Sequence, residues 1–94
     1  MDPFELHVLG AVADDYEAIR TIRSDLERDL RRPVSENEVG AALVHLATRG
    51  LVDPLVYDHS LQRYRRADLA AYSASELWFF ITPDGRAEYE RLVA

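Results

Sequence analysis

The sequence predicts a mostly helical α+β domain with a three-helix core, a two-stranded β-ribbon and a C-terminal helix, and three observations predict it. Ser35 and Glu38 stand at capping-box spacing, where the serine hydroxyl accepts from the N–H three residues on and the glutamate reaches back. Gly50 supplies the left-handed stop of that helix, and Leu51-Val52 begin a strand at once. Thr82-Pro83-Asp84 then reads as a cap, a proline at the first helical position and a first-turn carboxylate, so a last helix opens where the ribbon ends.

Taken in order, Asp2 as N-cap, Pro3 and Glu5 start a helix over about residues 3–13, with Leu6, Leu9 and Val12 as its apolar stripe. Asp14 with Glu17 repeats the capping pattern for a second helix over about 15–31, in which Tyr16, Ile19, Ile22, Leu26 and Leu30 recur at helical spacing until Pro33 forces a stop. Arg23, Glu27 and Arg31 lie four apart on its solvated side. The third helix, about 36–49, buries Val39, Ala42, Leu43 and Leu46 and leaves Glu36, Asn37, Gly40, Ala41, Val44, His45 and Thr48 on its outer side. Strands are expected over about 51–57, with Pro54 marking an edge or a break in pairing, and about 77–81. The last helix covers about 83–93 and carries Tyr89 and Leu92.

Ninety-four residues support one small domain over 1–94. Cysteine is absent, which removes disulfides, thiolate metal sites and cysteine nucleophiles. No apolar run reaches the length of a membrane span, and the acidic start Met1-Asp2-Pro3-Phe4-Glu5 is unlike a targeting segment, so a cytoplasmic setting without membrane contact is expected. His7, His45 and His59 have no metal-ligand spacing, and neither a glycine-rich phosphate loop nor a nucleophile elbow occurs, so no cofactor, no metal and no enzymatic activity are expected. Seventeen acidic residues face eleven arginines and no lysine, for a net charge of −6. That balance opposes the cationic excess usual in free-standing DNA-binding domains.

A capped helix that passes through glycine directly into a ribbon is the order of a winged helix-turn-helix, whose recognition helix precedes the wing. The ordered segments Leu6-His7-Val8-Leu9-Gly10-Ala11-Val12, Tyr16-Glu17-Ala18-Ile19-Arg20, Arg31-Arg32-Pro33-Val34-Ser35, Leu43 to Val52 and Ile81-Thr82-Pro83-Asp84-Gly85-Arg86 resemble the winged-helix domain of PadR-like transcriptional regulators. The resemblance implies a cytoplasmic, dimeric regulator that binds double-stranded DNA, with residues 35–48 as the recognition helix and 51–81 as the wing. Two departures stand out: Gly40 occupies a position where that family usually carries tyrosine, and Glu36 puts a carboxylate where a neutral or donor group is more common.

Under this reading the candidate DNA contacts are Ser35, Asn37, Ala41 and His45 on the third helix, Arg31 and Arg32 before it, Arg49 at its end, and Arg63, Arg65 and Arg66 in the region joining the strands. Arg63-Tyr64-Arg65-Arg66 is the one basic cluster, and its other reading is a solvated loop balanced by Asp58, Asp68 and Glu76. The joining region is long for a wing tip, where hairpin loops take roughly 2–5 residues, so a helical turn or an irregular excursion is expected between Ser60 and Ala74, with Leu61, Tyr64, Leu69 and Tyr72 folding it back. Alternation puts Leu77, Phe79 and Ile81 on one strand face and Trp78 and Phe80 on the other. The second face, with Tyr72, is the candidate dimer or partner surface, and a homodimer would use it or the first or last helix. The alternative function is an acidic winged-helix module that binds protein and no longer binds DNA.

Overall fold

The computed structural model describes residues 1–94 as an α+β domain, about half helical, whose four helices pack with one four-stranded antiparallel sheet. Helix α1 (Pro3–Ala11) starts as its sequence dictates, with the Asp2 carboxylate accepting the Phe4 N–H at 2.7 Å. It stops two residues earlier than expected, because Val12 leaves helical geometry and its carbonyl turns to accept the Ile81 N–H at 3.1 Å.

The expected capping box at Asp14 and Glu17 does not form. Asp15 instead takes the Tyr16 N–H at 2.7 Å, and Glu17–Ala18 make a short strand, β1, before α2 runs over Ile19–Leu30. A helical period cannot compete here with the free edge of a sheet: Glu17 pairs with Phe79 and Ala18 with Trp78, so the backbone groups of this segment are satisfied across the ladder. Tyr16 accordingly leaves the helix stripe and lies 38% exposed on the sheet. At the other end, Arg31 takes a left-handed conformation with φ 53° and closes α2 two residues before Pro33. Glu27 pairs with Arg23 at 3.0 Å and spends its second oxygen on the Val34 N–H at 3.1 Å, tying α2 to the next turn.

The third helix, α3 (Glu36–Thr48), has the capping box the sequence calls for. Ser35 Oγ accepts the Glu38 N–H at 3.1 Å, and Glu38 accepts the Ser35 N–H at 2.9 Å. Its end is a Schellman motif: Gly50, at φ 75°, bonds the Ala47 carbonyl and Leu51 bonds the Leu46 carbonyl, each at 3.0 Å. Val39, Ala42, Leu43 and Leu46 are buried, as their spacing requires.

Three more strands complete the sheet, which has two strands more than expected: β2 (Val52–Asp58), β3 (Arg63–Arg66) and β4 (Trp78–Ile81), in the order β1-β4-β2-β3. The arginine cluster is therefore not a loop. Asp58 accepts from the Ser60 and Leu61 N–H groups and folds the chain back, so that Asp58 pairs with Arg63 and Tyr57 with Tyr64. Pro54 is not on an edge strand: β2 lies between β4 and β3. The proline is tolerated because it sits beyond the last β2–β3 register pair, where its carbonyl still accepts the Ala67 N–H at 2.9 Å. A 3₁₀ turn (Ala74–Glu76) precedes β4, and α4 (Pro83–Val93) opens with Thr82 Oγ1 accepting the Gly85 N–H at 2.9 Å.

The core lies between the helices and the inner face of the sheet. Phe79, Leu77 and Ile81 from β4 join Leu9, Ile22, Leu26, Leu43, Leu46 and Val52 in one buried cluster, and full burial of such side chains stabilises by about 1.5–3 kcal/mol each. Gly85 is the tightest point, since a Cβ there would lie 2.0 Å from the Leu51 carbonyl oxygen and 2.9 Å from Ile81 Cγ1. A Cβ at Gly40 meets only Ile19 Cδ1, at 3.4 Å. Gly85→Ala is therefore expected to cost about 3 kcal/mol, the upper end of overpacking, and Gly40→Ala to stabilise by about 0.8–1 kcal/mol through helix propensity. Urea unfolding of the two variants with unchanged m-values checks both signs.

Candidate functional site: the outer face of the third helix and the arginine strand

The outward face of α3 carries Glu36, Asn37, Ala41, Val44, His45 and Thr48, all exposed, with Val44 at 47%. No arginine or lysine occurs between Glu36 and Thr48. The segment Ser73–Ser75 lies beside the first half of this face. With Ile19, Glu36, Asn37, Gly40, Ala41 and Val44 it bounds an open groove of about 660 Å³. Gly40 is part of the floor of that groove, and a tyrosine at this position would occupy it.

The candidate DNA contacts fall into two groups. Ser35, Arg32 and His45 are engaged within the domain: Ser35 in the capping box, Arg32 3.6 Å from Glu38 with its guanidinium 5.5 Å over the Phe4 ring, and His45 Nδ1 on the Glu5 carboxylate. Thr48 donates to the Val44 carbonyl at 2.8 Å. Asn37 and Ala41 remain open on the groove, and no carboxylate lies within ion-pair distance of Arg31, Arg49 or Arg63. Arg49 follows α3 as its C-cap residue and is exposed.

Arg63, Arg65 and Arg66 come together as β3, the terminal strand of the sheet on the side away from β1. The charges of Arg65 and Arg66 are met from the neighbouring strand, and that of Arg63 is not. Arg65 lies 3.4 Å from Asp58 and donates to the Tyr72 hydroxyl at 2.9 Å, and Arg66 lies 3.0 Å from Asp53.

The expected partner surface divides in two. Trp78 and Phe80 are half-buried on the outer face of the sheet under a ring cluster centred on Tyr64, which meets Tyr16 at 4.8 Å, Tyr57 at 5.1 Å and Trp78 at 5.9 Å, while Tyr16 meets Phe80 at 5.0 Å. Tyr72 is elsewhere, with its ring against the core and its hydroxyl on Arg65. Tyr16 and Tyr64 escaped the sequence reading because each was assigned to another element.

No group of three or more His, Asp or Glu side chains is placed to hold a metal ion, and no helix is long and apolar enough to cross a membrane. Three carboxyls depart from their ordinary titration, Glu88 among them, lowered chiefly by its hydrogen bond to Arg91. The Ser35 backbone N–H, with help from Arg32, holds Glu38 below the usual carboxylate range. Partial burial, with repulsion from Asp25 and Asp15, raises Glu17. No protein-family model and no curated protein matches the chain.

Glu38 and Glu17 act on stability with opposite signs. Lowered Glu38 stabilises the fold above its unfolded pKa, and that contribution is lost as pH falls through the folded value. Raised Glu17 destabilises the fold at pH above its folded value, and the cost disappears as pH falls to its unfolded value. Glu38→Gln is therefore expected to be less stable than the parent near neutral pH and Glu17→Gln more stable, with both differences shrinking in acid. Urea midpoints measured near neutrality and at about pH 3 check the pair.

Proposed function

We propose that the chain is a winged-helix domain that serves as a protein-interaction module and does not read duplex DNA. Its element order, with β1-β4-β2 as consecutive sheet neighbours and α3 leading through Gly50 into β2, supports the winged-helix part of the reading. The observation that carries the interaction part is the outward face of α3, which has Glu36 in its first turn, no arginine or lysine, and Ser73–Ser75 alongside.

A recognition helix enters the major groove with its N-terminal residues leading, between two rows of phosphates. Carboxylates in that turn raise the cost of approach, where a DNA reader uses arginine, lysine or neutral donors to displace counterions. Arg32 answers Glu38 and leaves Glu36 without a cation, while Arg65 is committed to Asp58 and Arg66 to Asp53. Exposed pairs of this kind are worth only about 0–1 kcal/mol, so the pairing alone would not bar DNA. What decides is the combination of local pairing, a carboxylate-bearing α3 and a net charge of −6. The same face suits a protein partner, offering a groove with Ile19, Ala41 and Val44 for apolar contact and Asn37, Ser73 and Ser75 for hydrogen bonds.

Titration of labelled duplex DNA fragments of mixed sequence at low salt is expected to show no binding up to tens of micromolar protein. Binding that weakens with salt would instead establish the regulator reading. In that case Arg63→Ala, Arg65→Ala and Arg66→Ala together would reduce the magnitude of the log–log salt slope by roughly 0.9 for each phosphate that is no longer neutralised.

A further inference from the structure

The sheet has two open edges. That of β1 is two residues long, whereas β3 offers four residues, Arg63-Tyr64-Arg65-Arg66, with β2 on one side and no strand on the other. The register settles which backbone groups face outwards. Ala67 donates to Pro54, so the two-residue alternation of an antiparallel ladder turns Arg65 and Arg63 towards β2 and leaves the N–H and C=O of Tyr64 and Arg66 pointing away from it. Three of the four side chains on this edge are cationic, in a chain whose net charge is −6.

We propose that β3 is a docking edge for an extended acidic segment of a partner protein, which adds to the sheet as a fifth strand. The inference rests on the protein-interaction reading and names the partner's chemistry. Main-chain hydrogen bonds to Tyr64 and Arg66 would supply the pairing, and carboxylates at alternate positions of the segment would face Arg63 and Arg65. Arg63 has no carboxylate within ion-pair distance, and Arg65, 47% exposed, can exchange its 3.4 Å contact with Asp58 for a partner carboxylate at little cost. The intervening residues of the segment would lie on the face of Tyr64 and Tyr57, which favours apolar side chains there. A second copy of this chain is a poor occupant, because it would set one row of arginines against another. The acidic remainder of the domain repels an acidic peptide only weakly at physiological salt, where the screening length is about 8 Å.

The test uses an isotope-labelled domain and a fluorescent peptide in which glutamate alternates with valine. Binding is expected to shift the Tyr64 and Arg66 amide resonances and slow their hydrogen exchange. It should be abolished when alternate peptide nitrogens are methylated or when lysine replaces glutamate. Arg63→Gln with Arg65→Gln should weaken binding roughly tenfold while leaving the rest of the amide spectrum in place. If the double variant does not fold, Arg63→Gln alone, which breaks no ion pair, should weaken binding roughly threefold. Absence of binding, indifference to N-methylation, or shifts confined to the α3 groove would each overturn the docking edge while leaving the interaction reading intact. Shifts of the β3 amides by duplex DNA under the same conditions would overturn both.

Discussion

The fold depends on the junction at Thr82. Its hydroxyl donates to the Gly50 carbonyl at 2.7 Å and accepts the Gly85 N–H, and its own N–H bonds the Leu51 carbonyl at 3.0 Å. One buried residue thereby joins the stop of α3, the start of β2, the end of β4 and the cap of α4. Each group would be an unsatisfied terminus if it stood alone: a carbonyl past a helix end, an N–H inside a first turn, a strand end without a partner. Gly85 lets the α4 backbone approach closely enough to close this set. Nearby, Ile81 reaches the Val12 carbonyl and the Arg86 guanidinium reaches the Ala13 carbonyl, so the end of α1 is held by the same junction.

The helices with reciprocal end signals were legible in the sequence. Ser35, Glu38 and Gly50 delimited α3, and Thr82-Pro83 fixed the start of α4, because these residues satisfy backbone groups within a few positions of themselves. Residues 14–18 and 63–66 were not legible, and for a common reason. Their backbone partners lie on strands distant in sequence, so Tyr16 and Glu17 could read as helix and Arg63 to Arg66 as loop until β4 and β2 were in place. The candidate site was legible by half. Periodicity identified the outward residues of α3, and Asp58 was named as a carboxylate for the arginine cluster, but the other partners of Arg32, His45, Arg65 and Arg66 come from Phe4, Glu5, Asp53 and Tyr72, and tertiary structure alone brings these together.

Net charge by itself gave little guidance, because the fold sorts charges by place. Acidic side chains collect where β1 meets α2: Asp14, Glu17, Asp25 and Asp29 line one depression beside α1 with Arg28 among them, and partial burial together with Asp25 and Asp15 raises the pKa of Glu17. The arginines of β3 lie at the opposite edge of the sheet. An acidic total is thus compatible with a cationic strip, and what a partner meets depends on which edge it approaches within a screening length.

Both faces open to a partner arise from the single stretch of chain between Asp58 and Leu77. Its first part turns back as β3 and extends the sheet, and its return packs Ala67, Leu69 and Tyr72 against the core before laying Ser73–Ser75 beside α3. A short hairpin tip would leave β2 as the sheet edge and the outward face of α3 with no segment beside it. With the longer segment present, the edge becomes a row of arginines and the face of α3 becomes the wall of a groove. The register of β3 links the two, since the bond between Ala67 and the Pro54 carbonyl fixes both which arginines turn towards β2 and where the return begins. A one-residue slip there would exchange the two faces of β3 and remove Tyr64 from the aromatic cluster that covers Trp78 and Tyr57.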